Sequence, residues 1–330
     1  MKETRNIRID SLRTTMMVLI IGLHLSSIIF DIQATKAIHR DVFSSLLVSF
    51  RSLLFIGVSG FAFISGYYGI KFSLKKMIRY ELMAVSMGCL NLILGVFVIK
   101  QISLTKALIF LTPFSSQVCW YLTAYFILML VAPFINEGIK SLEKRHFQTI
   151  ICILFISNYV FDFLHHRNGT TVLLLLVIYL FGQYLRTYPS SFLLKNNFAI
   201  FVGALVIQFA LSFCGSYLGI EKISLLLENN HNPLLIFAVV GLFYNQKGKP
   251  QETKFHSFLA KLSPYIFAVY ICHVELLSYL PSSYLNFFHS ALLNYLFAIV
   301  LIFSFSLTLS FVREKCFSPL ENYFINRWIK

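Results

Sequence analysis

Apolar runs separated by short polar or basic breaks follow one another from end to end of the chain. Runs of this length predict helices that cross a bilayer, because about 20 apolar helical residues span the hydrocarbon core. They lie near 14–30, 43–70, 80–99, 119–136, 148–165, 170–187, 197–217, 233–245, 263–281 and 291–312. The stretch 101–118 holds Pro113 with several Ser and Thr, and is expected to form a loop or a re-entrant segment. The fold expected is therefore an all-α integral membrane protein of about ten transmembrane helices, forming a single polytopic domain over 1–330.

Composition supports this class and excludes others. Hydrophobic residues make up 57% of the 330 positions and charged residues 13%, with a mean hydropathy of +0.73. Soluble domains carry about 25% charged residues, so too little charge is present to coat a soluble surface of this size. The basic run before the first apolar segment also begins a cleavable leader, but no small-residue cleavage site follows it, and a retained first span is expected. The six Cys form no CxxC pair, which argues against a zinc site or a disulfide framework.

The net charge of +14 would suggest nucleic acid in a soluble chain. Here the cations cluster between apolar runs. With the N-terminus inside and ten spans, all but seven of the 28 Lys and Arg fall on the inner side. The exceptions are Lys36, Arg40, Arg51, Lys100, Lys106, Arg167 and Lys222. That bias obeys the positive-inside rule and places both termini in the cytoplasm.

The first span carries the most chemical information. Asp10, Arg13 and His24 punctuate an otherwise apolar segment. On a helix, Arg13 and His24 lie within about 20° of one face and about 16 Å apart along the axis. A cation at the water boundary and an imidazole deep in the bilayer suit an anionic reactant whose reacting atom meets the histidine. Arg13 as a topological anchor and His24 as a packing residue are the alternatives.

Later segments add candidates. Gly57, Gly60, Ser65 and Gly66 permit either close helix packing or an opened backbone. Lys71, Lys75, Lys76 and Arg79 form a solvated loop or a grip on polyphosphate. Trp120 and Tyr121 suit an interfacial aromatic belt. Tyr270, His273 and Glu275 sit within an apolar run, His273 at a depth matching His24 and so a candidate for a shared cavity. The other histidines are expected in loops or at span ends. Arg51 and Asp162 are open to snorkelling or to pairing with a polar substrate.

The ordered set resembles one family. Asp10-Ser11-Leu12-Arg13, ten residues and then His24 are followed by Phe61-Ala62-Phe63-Ile64-Ser65-Gly66-Tyr67, by Trp120-Tyr121-Leu122, and by Ser263-Pro264-Tyr265-Ile266-Phe267-Ala268-Val269-Tyr270-Ile271-Cys272-His273. Together they are similar to the membrane acyltransferase 3 family, O-acyltransferases of bacterial surface polysaccharides, in its branch without a fused esterase-like domain.

The resemblance implies an inner-membrane enzyme that takes acetyl from cytoplasmic acetyl-CoA and delivers it to a sugar hydroxyl of a lipid-linked or polymeric glycan. It implies no metal. Arg13 and His24 match the family's essential pair, with Asp10 beside them. Arg13, Lys75, Lys76 and Arg79 would hold CoA phosphates, and Ser65 and Gly66 would line the donor's path. Trp120, Tyr121, Tyr270, His273 and Glu275 would meet the acceptor. The family's Arg-x-x-Arg motif is replaced here by Lys76-Met77-Ile78-Arg79, where Lys offers only a point charge. Transfer of succinyl, transport of an anionic solute, and a non-catalytic assembly role are the competing readings.

Overall fold

A computed structural model describes residues 6–31, 41–99, 108–109, 112, 119–165, 171–220, 223, 226–248, 253–279 and 285–328. Every regular element among them is helical. In chain order these are α1 (Ile7–Ile29), α2 (Val42–Leu54), α3 (Ile56–Tyr68), α4 (Leu74–Ile99), α5 (Trp120–Lys140), α6 (Lys144–His165), α7 (Val172–Thr187), α8 (Ser191–Lys195), α9 (Asn197–Tyr217), α10 (Pro233–Lys247), α11 (Lys254–Leu262), α12 (Ile266–Tyr279) and α13 (Ala291–Trp328).

Seven helical stretches among the described residues are long and apolar enough to cross a membrane, and this is a multi-pass membrane protein. The stretches predicted at 148–165, 170–187 and 233–245 are also helical, but α7 and α10 are short at 16 and 15 residues, and α6 carries Lys144, Arg145 and His146 at its start. Most of the predicted break at 101–118 lies outside the described residues, apart from a helical turn at 108–109. Large apolar side chains such as Phe97, Phe134, Phe198, Val206 and Val300 are exposed, as a hydrocarbon solvent requires.

The chain divides into two compact units. The first comprises 1–71 and 128–263, and the second 72–127 and 264–330. In the first unit α9 packs along α10 and α2, α7 packs on α3, and α11 packs on α1. Glycine sets the closest of these approaches. A Cβ on Gly66 would lie 2.5 Å from the Tyr179 carbonyl oxygen of α7, and one on Gly182 would lie 2.6 Å from the Tyr67 nitrogen of α3. Only a missing side chain on both helices allows that contact. Of the two readings the sequence offers for Gly66, close helix packing is seen at this contact.

The turn after α3 is held from both sides. Gly69 adopts φ +76° as the C-cap residue, and the neighbouring Ile70 N–H donates to the Tyr179 hydroxyl at 3.1 Å. Asn136 Nδ2 donates to the Ile70 carbonyl at 3.0 Å, while the Tyr179 hydroxyl donates to Asn136 Oδ1 at 2.6 Å.

In the second unit α4, α12 and α13 pack together. Arg313 of α13 is buried with Glu321 as its ion-pair partner and with the Ser86 hydroxyl of α4 at 3.0 Å. α13 continues to Trp328, 16 residues past the predicted end at 312, and runs through Pro319.

Candidate functional site

Asn6 starts α1, its side-chain oxygen accepting from the Arg8 and Ile9 amides at 3.1 and 3.2 Å. That cap satisfies two amides which a helix start leaves unbonded. Asp10 follows in the first turn, where the helix dipole favours an acid. One turn on, Arg13 Nη1 bonds Asp10 Oδ1 at 2.6 Å. Asp10 is buried and Arg13 is about one-third accessible, so the carboxylate fixes a guanidinium whose other edge meets solvent.

His24 is exposed, whereas its neighbours Leu23 and Leu25 are buried. The expected geometry therefore holds at its two ends: Arg13 and His24 share a stripe and both are accessible. Between them the stripe is closed. Met17 is 0% and Ile20 4% exposed, and α3 packs beside these positions through Gly57 and Gly60. Cβ atoms there would lie 2.7 Å from Ile20 Cγ1 and 2.7 Å from Met16 Sδ. A glycine-faced helix thus covers the middle of the stripe, between Arg13 and His24.

Arg51, left undecided by the sequence, is in an ion pair. It binds Glu228, whose side chain is 1% exposed, and it stacks over the Phe55 ring with 5.4 Å to the centroid. It also lies close enough to His24 for their charges to interact.

Glu228 opens a run that the sequence reading passed over. Glu228, Asn229, Asn230, His231 and Asn232 are all buried. The Ser59 hydroxyl donates to the Asn230 carbonyl at 3.1 Å. Asn232 Nδ2 donates to Gln208 Oε1 at 2.7 Å, and Asn232 Oδ1 caps α10 through the Leu234 amide at 2.9 Å. The His231 ring meets Tyr159 edge-on at 4.6 Å. His231 thus lies in a turn at the start of α10, as expected, but is buried there. A signal was available: five consecutive hydrogen-bonding residues ahead of a helix-starting proline, with an unassigned arginine elsewhere to balance the acid.

The second unit holds the other candidates. Trp120 and Tyr121 begin α5, their rings 5.7 Å apart, and Tyr121 lies edge-on to Tyr270 of α12, also at 5.7 Å. His273 is fully buried, with Nδ1 2.7 Å from the Tyr270 carbonyl. A carbonyl only accepts, so that nitrogen carries the hydrogen. Glu275 is half-buried and accepts from the Ser278 hydroxyl at 3.3 Å. Trp120, Tyr121, Tyr270 and His273 thus form one cluster.

Lys75, Lys76 and Arg79 are exposed on the first turns of α4. Lys76 lies over the Tyr80 ring at 5.6 Å, and Arg79 donates to Asn322 at 3.0 Å. Ser65 is half-buried, and its carbonyl accepts from the Gly69 amide at 3.0 Å. Among the described residues no group of His, Cys, Asp and Glu is placed to hold a metal.

A family model described as "Acyltransferase domain", that of acyltransferase 3, matches residues 6–312. The chain belongs to that family. It is accordingly a membrane acyltransferase, and the stripe of α1 with Arg13 and His24 lies within the matched region. No curated protein and no solved structure matches the chain.

Proposed function

We propose that this membrane acyltransferase moves acetyl from acetyl-CoA to a sugar hydroxyl of a bacterial cell-surface polysaccharide. In this reading it sits in the inner membrane with about ten spans and both termini cytoplasmic. The observation that carries the proposal is the α1 stripe: an arginine fixed by a buried carboxylate at the helix start, and an accessible histidine eleven residues along. Arg13 has an edge available to an anionic donor, and His24 is accessible to act as a base.

In this reading His24 acts as a general base, with brief carriage of the acetyl as an acyl-imidazole as the alternative. His24 takes the proton of the sugar hydroxyl as its oxygen attacks the thioester carbonyl. A C–O bond forms, the C–S bond breaks, and the departing CoA thiolate receives the proton from the imidazolium. Arg51, paired to Glu228, supplies a fixed positive charge close to His24. In the second unit, the exposed Lys75, Lys76 and Arg79 are suited to phosphate, and the Trp120–Tyr121–Tyr270 cluster to the face of a sugar ring.

His24→Ala tests the reading. Transfer of labelled acetyl from acetyl-CoA to cell glycan should fall by about 10²–10⁴-fold, the range for a lost general base. Because the side chain is exposed, membrane abundance should be unchanged. Full activity at normal abundance would remove His24 from the chemistry. Offering succinyl-CoA beside acetyl-CoA to the wild type decides the acyl group.

A further inference from the structure

A groove of about 400 Å³ opens in the first unit between α1, α2, α9, α10 and α11. Its walls are almost wholly apolar and include Thr15, Leu19, Phe50, Leu205, Leu242 and Leu259. Thr15 and Leu19 project from roughly the opposite side of α1 to Arg13 and His24. The groove is therefore separate from the reactive stripe. From Ser11 at its mouth to Leu19 it runs about 12 Å along the helix, close to the ~15 Å of hydrocarbon in one leaflet.

The mouth is polar and basic. Gln246 and His256 line it, and Arg8 Nη1 donates to Gln246 Oε1 at 3.1 Å and lies 3.4 Å from His256 Nε2. Arg8 is 7% exposed, its Nε has no hydrogen-bond partner, and no carboxylate among the described residues forms an ion pair with it. A buried guanidinium with no counter-ion among the described residues favours an anion that joins it.

α11 forms the adjoining wall and is strongly two-faced. Phe255 and Phe258 are exposed apolar residues and Lys254 and Lys261 are exposed cations. This is the pattern of a helix lying at an anionic membrane surface. The Thr14 hydroxyl donates to the Leu259 carbonyl at 2.9 Å, which fixes α11 against α1.

We propose that this groove holds one anionic phospholipid, an acyl chain between α1 and α9 and the phosphate at Arg8 and His256. Apolar walls matched to one leaflet suit the chain. Arg8, which bonds the lining Gln246 and has no counter-ion among the described residues, selects the headgroup.

The test uses the full chain in nanodiscs with phosphatidylglycerol or phosphatidylcholine carrying a photoreactive diazirine in the acyl chain. Phosphatidylglycerol should label peptides containing Leu19, Leu205 and Leu242. Arg8→Gln should reduce that labelling by about fivefold, as loss of one interfacial cation implies, and leave phosphatidylcholine labelling as it was. Leu205→Trp, which fills the groove, should reduce both, and Arg8→Lys should restore the preference. Labelling confined to other helix faces, indifference to Arg8→Gln, or competition by inorganic phosphate would each overturn the proposal. Wild-type labelling needs no variant to fold and no acyl transfer, so its failure is distinguishable from failure of the catalytic reading.

Discussion

Arg51 of α2 and Glu228, 177 positions later, form an ion pair in the interior of the first unit. With each partner largely buried, neither charge has an alternative in water. Replacing only one strands the other, at a cost of about 3–5 kcal/mol. Arg51→Ala and Glu228→Ala should each lower the unfolding temperature in detergent markedly, and the double replacement Arg51→Met with Glu228→Met should recover part of the loss. Single variants as stable as the wild type would show that the pair does not hold α2 in place.

The Asp10–Arg13 contact makes a kinetic prediction. Asp10→Asn removes the charge that fixes the guanidinium but keeps its volume. If Arg13 binds the donor's phosphates, the KM for acetyl-CoA should rise more than kcat falls. A fall in kcat with donor KM unchanged would instead tie Asp10 and Arg13 to the transfer step.

Glycine at the α3–α7 contact is expected to be intolerant. Gly66→Ala and Gly182→Ala place a Cβ within 2.6 Å of backbone atoms, which cannot rotate aside. Each should cost about 1–3 kcal/mol, seen as a lower melting temperature and poorer membrane yield. Gly203→Ala in α9 meets nothing within 4 Å and should be neutral or slightly stabilising.

Tyr179→Phe should loosen the turn after α3. It removes the acceptor for the Ile70 amide and the donor to Asn136 while conserving the ring. A cost of about 1–3 kcal/mol is expected because the Ile70 N–H is left unbonded in a buried place. Hydrogen exchange at Ile70 should accelerate in the variant; protection equal to the wild type would count against this role.

Apolar periodicity located the helices well where the surroundings are hydrocarbon. The predicted limits 197–217 coincide with those of α9. It failed where a helix leaves the apolar phase: α1 begins at Ile7 rather than 14 and α13 ends at Trp328 rather than 312. Charged turns continue a helix without adding apolar length. The division of 43–70 at Phe55 falls inside one continuous apolar run, and Gly57 two residues on did not by itself locate it.

The site divides in the same way. Asp10, Arg13 and His24 lie on one helix, so their spacing sufficed to align them. Burial of Met17 and Ile20 depends on α3, and burial of Glu228–Asn232 depends on Arg51, Ser59 and Gln208. Such long-range partners leave no local periodicity to read.

At 1.5 Å per residue the 38 residues of α13 amount to about 57 Å of helix, with Pro319 inside it. Lying wholly within a ~30 Å hydrocarbon layer would demand an inclination of roughly 58°, steeper than the 0–40° that bilayer helices adopt. Its final turns, past Pro319, are therefore expected outside the hydrocarbon core. A spin label placed near Tyr323 should tumble in water at the pace of the whole particle, slowly for an aqueous site.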